Sequence, residues 1–106
     1  MTRPVTYQRG QQWVVVAATV GRTVFETADD YGVVQRSESR DFLIAAADLV
    51  LGGSQVLPER GDRIRETQGQ KVYVYEVMAP GKEPQYRFSD PYRRTLRIHT
   101  KQVEVV

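Results

Sequence analysis

Gly, Pro and Asp interrupt this chain about every 8–12 residues, and the segments between them are short and β-branched. That punctuation constrains the fold more than any other feature. Segments of about five to nine residues are too short to stand as helices but long enough to be strands. They read "WVVVAATV" (Trp13 to Val20), "RTVFET", "VVQRSESRDFLI", "DRIRET", "QKVYVYEVM", "PQYRFS" and "TLRIHTKQVEVV". The first is apolar at all but one position, which predicts a strand buried on both faces.

Only "AAADLVLGG" (Ala45 to Gly53) carries a plausible helical turn, with Gly52 and Gly53 placed to end it. The chain of 106 residues has no internal repeat and no low-complexity linker. The expected architecture is therefore one all-β domain over residues 1–106: a small antiparallel β-barrel or compact sandwich of about six to eight strands, with one short helix.

Within that frame the polarity pattern assigns faces. In "KVYVYEV" the residues Tyr73, Tyr75 and Val77 share one face, opposite Val72, Val74 and Glu76. In "DRIRE" Ile64 alone is expected to point inward, between Arg63 and Arg65. Pro58 and Gly61-Asp62 turn the chain into that strand. "ADDYG" has the residues of a turn, and Arg36 to Arg40 is wholly polar. Two strand pieces joined by, or extended through, an exposed projection are the expected outcome there.

Several function classes are excluded or disfavoured at this level. With no cysteine, the chain has no disulfide, no thiolate nucleophile and no cysteine-ligated zinc. No apolar run reaches the roughly 18–20 residues of a membrane span. The polar start "MTRPVTYQRGQQ" lacks the apolar centre of a signal peptide, so the expectation is a chain that folds in the cytoplasm. Net charge is only +2, but twelve of the fifteen cations are arginine, the residue suited to carboxylates, phosphates and protein interfaces.

Catalytic arrangements are poorly supplied. His99 is the sole histidine, and a nitrogen-ligand metal site would need more. Ser54 or Ser89 with Asp90 could complete a Ser-His-Asp set, yet neither serine sits in a G-x-S-x-G elbow. "LVLGGSQ" lacks the lysine of a phosphate loop, and Asp29-Asp30 reads as a solvated turn. We expect no catalytic residue, no metal and no cofactor.

The C-terminal third offers the clearest binding chemistry. Tyr86, Arg87, Phe88, Arg93, Arg94 and Arg97 interleave aromatics with arginines, as on a nucleic-acid-binding barrel where bases stack and phosphates are neutralised. The alternative puts Phe88, Leu96 and Ile98 in the core and turns the arginines toward a protein partner.

Three stretches, "SRDFLIAAADLVLGG", "LPERGDRIRE" and "VYEVM", together resemble the small head–tail joining proteins of tailed bacteriophages and prophages, the adaptor and head-completion (stopper) proteins. The resemblance covers residues 38–79 best, with "SDPYRRTLRIHTK" an echo. It implies a non-enzymatic β-barrel virion subunit. Such subunits assemble into a ring between the portal and the tail, in the bacterial cytoplasm and then in the virion, with packaged DNA as a further contact. Carried over, Pro58, Gly61, Asp62 and Ile64 would define the fold. Arg36, Glu38 and Arg40 lie where such proteins extend a loop toward neighbours, and with Arg93 and Arg94 they are the candidate interface residues. The stopper, adaptor and tail-terminator roles stay open.

Overall fold

The computed structural model describes residues 1–106, the side chain of Thr27 excepted. The strands are β1 (Arg3–Arg9), β2 (Gln12–Ala28), β3 (Val34–Ala45), β4 (Val50–Leu51), β5 (Ser54–Gln55), β6 (Arg63–Gln68), β7 (Lys71–Val77), β8 (Tyr86–Phe88) and β9 (Thr95–Val105). The only helical element among the described residues is a 3-10 turn, Ala46–Asp48. The main sheet runs β3-β2-β1-β6-β7-β9, and β9 pairs back onto β3, so six antiparallel strands close into a ring. β9 achieves this by changing neighbours along its length. Thr95 to Thr100 pair with β3, and Thr100 to Val105 pair with β7 across a register shift between Val74 and Tyr75. β8 lies beside the first half of β9, and β4–β5 form a separate small hairpin.

Alternation fills the ring. Tyr7, Phe42, Ile44, Ile64, Leu96 and Ile98 all point inward and are fully buried. β2 departs from its expected burial on both faces. Val16 and Ala18 are buried, but Trp13 and Val15 on the other face are 65% and 56% exposed. An uninterrupted apolar run is what a doubly buried strand and a strand with a sticky outer face have in common, so its cause cannot be read from the run alone.

β6 also differs from expectation. Ile64 points inward, and so does Glu66, 1% exposed, where its carboxylate accepts hydrogen bonds of 2.6 Å from both Arg3 and Arg40. Burial works to raise the Glu66 pKa, but the bonds from Arg40 and Arg3 outweigh it and hold the group below the usual range. The Arg40 guanidinium also stands 5.0 Å from the Tyr75 ring centre and 5.6 Å from that of Phe42. Those contacts and the ion pair offset the burial of Arg40 Nε without a hydrogen-bond partner.

The two motifs with turn chemistry take different forms. Gly52 and Gly53, at φ of 61° and 84°, are the central pair of the β4–β5 hairpin and not the end of a helix, because Leu51 pairs with Ser54 directly across them. "PERGD" is a turn locked by its acid. Gly61 takes φ of 93°, and the Asp62 carboxylate accepts from the Glu59 N–H at 3.0 Å and from Arg9 Nε and Nη2 at 3.0 and 2.9 Å. The Tyr7 hydroxyl donates to the same carboxylate. Burial first, and Asp62 second, push the Tyr7 pKa upward, so the phenol keeps its proton. One turn is thus tied to β1, which explains why Pro58, Gly61, Asp62 and Ile64 behave as scaffold.

Candidate functional site

The feature that stands out from the ring is an extension of two of its own strands. β1 pairs with β2 only as far as Ala18, and β9 pairs with β3 only from Arg40 onward. Beyond those points β2 and β3 pair solely with each other, out to Ala28 opposite Val34. The result is a two-stranded arm ending in the turn Asp29 to Val33. It accounts for a radius of gyration of 14.4 Å, where a compact domain of this length would have about 13 Å. Of the wholly polar Arg36 to Arg40, residues Arg36 to Glu38 are exposed on this arm as expected from the sequence, whereas Ser39 is buried and Arg40 already belongs to the ring wall.

An isolated two-stranded ribbon is marginally stable in water. This one has weak cross-strand support, Arg36–Glu26 at 3.5 Å and Arg22–Glu38 at 3.3 Å, all four side chains largely exposed. Its turn is better defined: the Asp29 carboxylate accepts from the N–H groups of Tyr31 and Val33, both at 2.9 Å. Tyr31, Val33 and Val34 surround that turn at 93%, 54% and 58% exposure. An apolar tip on a polar stalk is chemistry for contact with another macromolecule.

The base of the arm is held by a buried polar cluster spanning three strands. Asp41 of β3 is fully buried. Its carboxylate accepts from Ser39 Oγ at 2.5 Å, from Arg97 Nε at 2.8 Å and from the Thr23 hydroxyl, and it lies 2.9 Å from His99 Nδ1. Burial works to raise the Asp41 pKa, but hydrogen bonds from His99, Ser39 and Thr23 prevail and set it at about 2. Phe25, on the arm, packs its ring edge-on to His99 at 5.4 Å.

This cluster contains a serine, a histidine and a carboxylate, so its geometry decides its meaning. A nucleophilic serine must meet the imidazole on the nitrogen opposite the carboxylate. Here Ser39 and Asp41 share the Nδ1 side of His99, with Ser39 Oγ 3.3 Å from that nitrogen and its proton given to Asp41. All three side chains are buried, at most 2% exposed. The arrangement clamps the arm to the ring. Ser54, Ser89 and Asp90 take no part; Asp90 instead accepts from the N–H groups of Tyr92, Arg94 and Thr95 and organises the β8–β9 loop.

The candidate interface residues fall into three places. Arg36 and Glu38 are exposed on the arm. Arg93 and Arg94 are exposed on the β8–β9 loop, over the rings of Phe88 and Tyr92 at 5.7 and 5.5 Å. Arg40 turns into the ring toward Glu66 and serves the subunit itself. The residues of the nucleic-acid reading do not share one open face. Tyr86 and Phe88 pack half-buried against the core, Arg97 is engaged by Asp41 and the Arg22 carbonyl, and Arg87 is exposed on the opposite side of β8.

Sequence reasoning missed Asp41, Glu66 and the Trp13 face. A single acid inside an apolar stretch, as in "RDFLIA", and an acid in phase with Ile64 were the available signals. Among the described residues no helix is long and apolar enough to cross a membrane, and no group of His, Asp and Glu is arranged to hold a metal ion. Comparison with protein families gives one match: the family described as phage head-tail joining protein, over residues 1–106. No curated protein and no solved structure matches significantly.

Proposed function

Because this chain belongs to the phage head-tail joining protein family, a family of virion structural proteins, we propose that it is a non-enzymatic connector subunit of the stopper or adaptor type. In this reading several copies form a ring between the portal and the tail, assembled in the bacterial cytoplasm and retained in the virion. The match over the whole chain carries the proposal. The arm supports it, because a projection with an apolar tip gives each copy a means of reaching a neighbour or the channel.

Ring formation fits the charge distribution. A heterologous interface uses two different patches of one chain and closes a cycle by rotation. Arginines and acids spread at a net charge of +2 suit such a contact between copies better than a uniformly basic surface would. In this reading Arg93 and Arg94, exposed on the β8–β9 loop, would contact the portal, the tail or packaged DNA.

Joining in vitro tests the role. Lysates lacking this protein should accumulate filled heads and free tails, and added purified protein should restore joined particles. Normal joining without it, or its absence from purified virions, would refute the connector role.

A further inference from the structure

The outer face of the β1–β2 pair is an apolar surface that nothing in the subunit covers. Trp13 and Val15 are 65% and 56% exposed, with Ala17 and Pro4 exposed beside them. A groove of about 250 Å³ runs along it, lined by Pro4, Thr6 and Val15 and bounded by Arg3 and Arg65. Arg65 is half-buried, and its side-chain partner among the described residues is the neutral Gln8, at 3.0 Å. Val15 and Arg65 flank Thr6 from the two neighbouring strands, so a face that carries an exposed tryptophan and valine also holds an arginine without a carboxylate, the composition of a binding hot spot that wants apolar surface and one acid.

The arm tip offers both. It presents Tyr31, Val33 and Val34 around Asp29 and Asp30. Asp29 is consumed by its own turn, and the arm's ion pairs use Glu26 and Glu38, which leaves Asp30 unpaired among the described residues. The tip cannot reach the Trp13 face of its own subunit. The two lie at opposite ends of β2, a single strand of 17 residues, in a molecule whose longest dimension is 48 Å.

We propose that the arm tip of one copy seats on the Trp13–Val15 face of the next copy, with Asp30 set against Arg65. The inference rests on the ring reading above and names its contact. A knob at one end of β2 and its receptor at the other make a head-to-tail interface, the kind that propagates around a ring and does not stop at a dimer.

The chain has no cysteine of its own, so disulfide trapping is clean. Full-length Ala17→Cys and Val33→Cys proteins are mixed under oxidising conditions, alone and on head particles; Arg60→Cys, on the exposed turn before β6, replaces Val33→Cys in the control. The mixed pair should give about tenfold more heterodimer than the control, a preference of ~1.4 kcal/mol. Arg65→Glu in the receptor copy should abolish the excess, and Asp30→Arg in the tip copy should restore it. Homodimers in place of heterodimers, or a yield equal to the control, overturns the contact. Protection of Trp13 by a portal or tail protein without the cross-link overturns it as well. If the same variants still join heads to tails while no cross-link forms, the inference fails and the connector role stands.

Discussion

Replacing Asp41 with asparagine should remove a specific, pH-dependent part of the protein's stability. The side chain keeps its size but loses the charge that Thr23, Ser39, Arg97 and His99 surround. In the folded chain the carboxyl titrates at about 2 against an ordinary 3.8. At ~1.36 kcal/mol per pKa unit this difference is worth about 2.5 kcal/mol. A depressed pKa stabilises the fold fully above the unfolded value, and the contribution is lost as pH falls through the folded one. The wild-type advantage over Asp41→Asn should therefore be constant above about pH 5 and shrink by about 2 kcal/mol by pH 2, the remainder being lost below that. Glu66 and Asp90, whose pKa values are also lowered, titrate in both proteins and cancel in the subtraction. Urea unfolding of both proteins at a series of pH values measures the gap; by thermal melting it should close by roughly 10–20 °C. A gap that stays constant from pH 5 to pH 2 would refute the account of the cluster as a charged clamp.

Asp62→Ala strands the buried Tyr7 hydroxyl and takes two bonds from Arg9, which keeps the Leu57 carbonyl and Glu59, and should cost about 2–3 kcal/mol in urea unfolding; a cost below ~1 kcal/mol would show that the turn does not depend on its acid. Shortening the arm by joining Phe25 to Ser37 through Asn-Gly should leave the unfolding midpoint nearly unchanged while abolishing head–tail joining; joining at the wild-type level would mean the arm is dispensable. The single tryptophan should emit as a solvated indole in the isolated chain and shift to shorter wavelength on assembly, and an unchanged spectrum in the assembled ring would place Trp13 outside every contact.

The sequence disclosed what local chemistry decides. The turn at Gly61-Asp62 and the alternation that follows it were legible because each depends on a few adjacent residues, whereas β1, inside the polar start, was not expected at all. The polar Arg36 to Arg40 announced a projection for the same reason. What depends on register was hidden: Asp41 meets His99 only because β3 and β9 pair with those two residues opposed. Glu66 was visible in phase with Ile64, but its tolerance in the interior requires Arg3 and Arg40, which approach from other strands. Gly52-Gly53 looked like a helix stop because the hairpin partners on either side are only two residues long. Trp13 was misread for a different reason, since apolar character records the wish to leave water and not the identity of the surface that permits it.

The arm is continuous with the ring wall. Its two strands are the same polypeptide that forms the ring wall, so a pull on the tip enters the body along the strand axes. It is resisted by seven residue pairs between β1 and β2 and six between β3 and β9, loaded side by side in shear and not peeled one after another. A push across the strands meets only the β2–β3 ribbon and its two exposed ion pairs, so the projection resists a load along its length far better than one from the side.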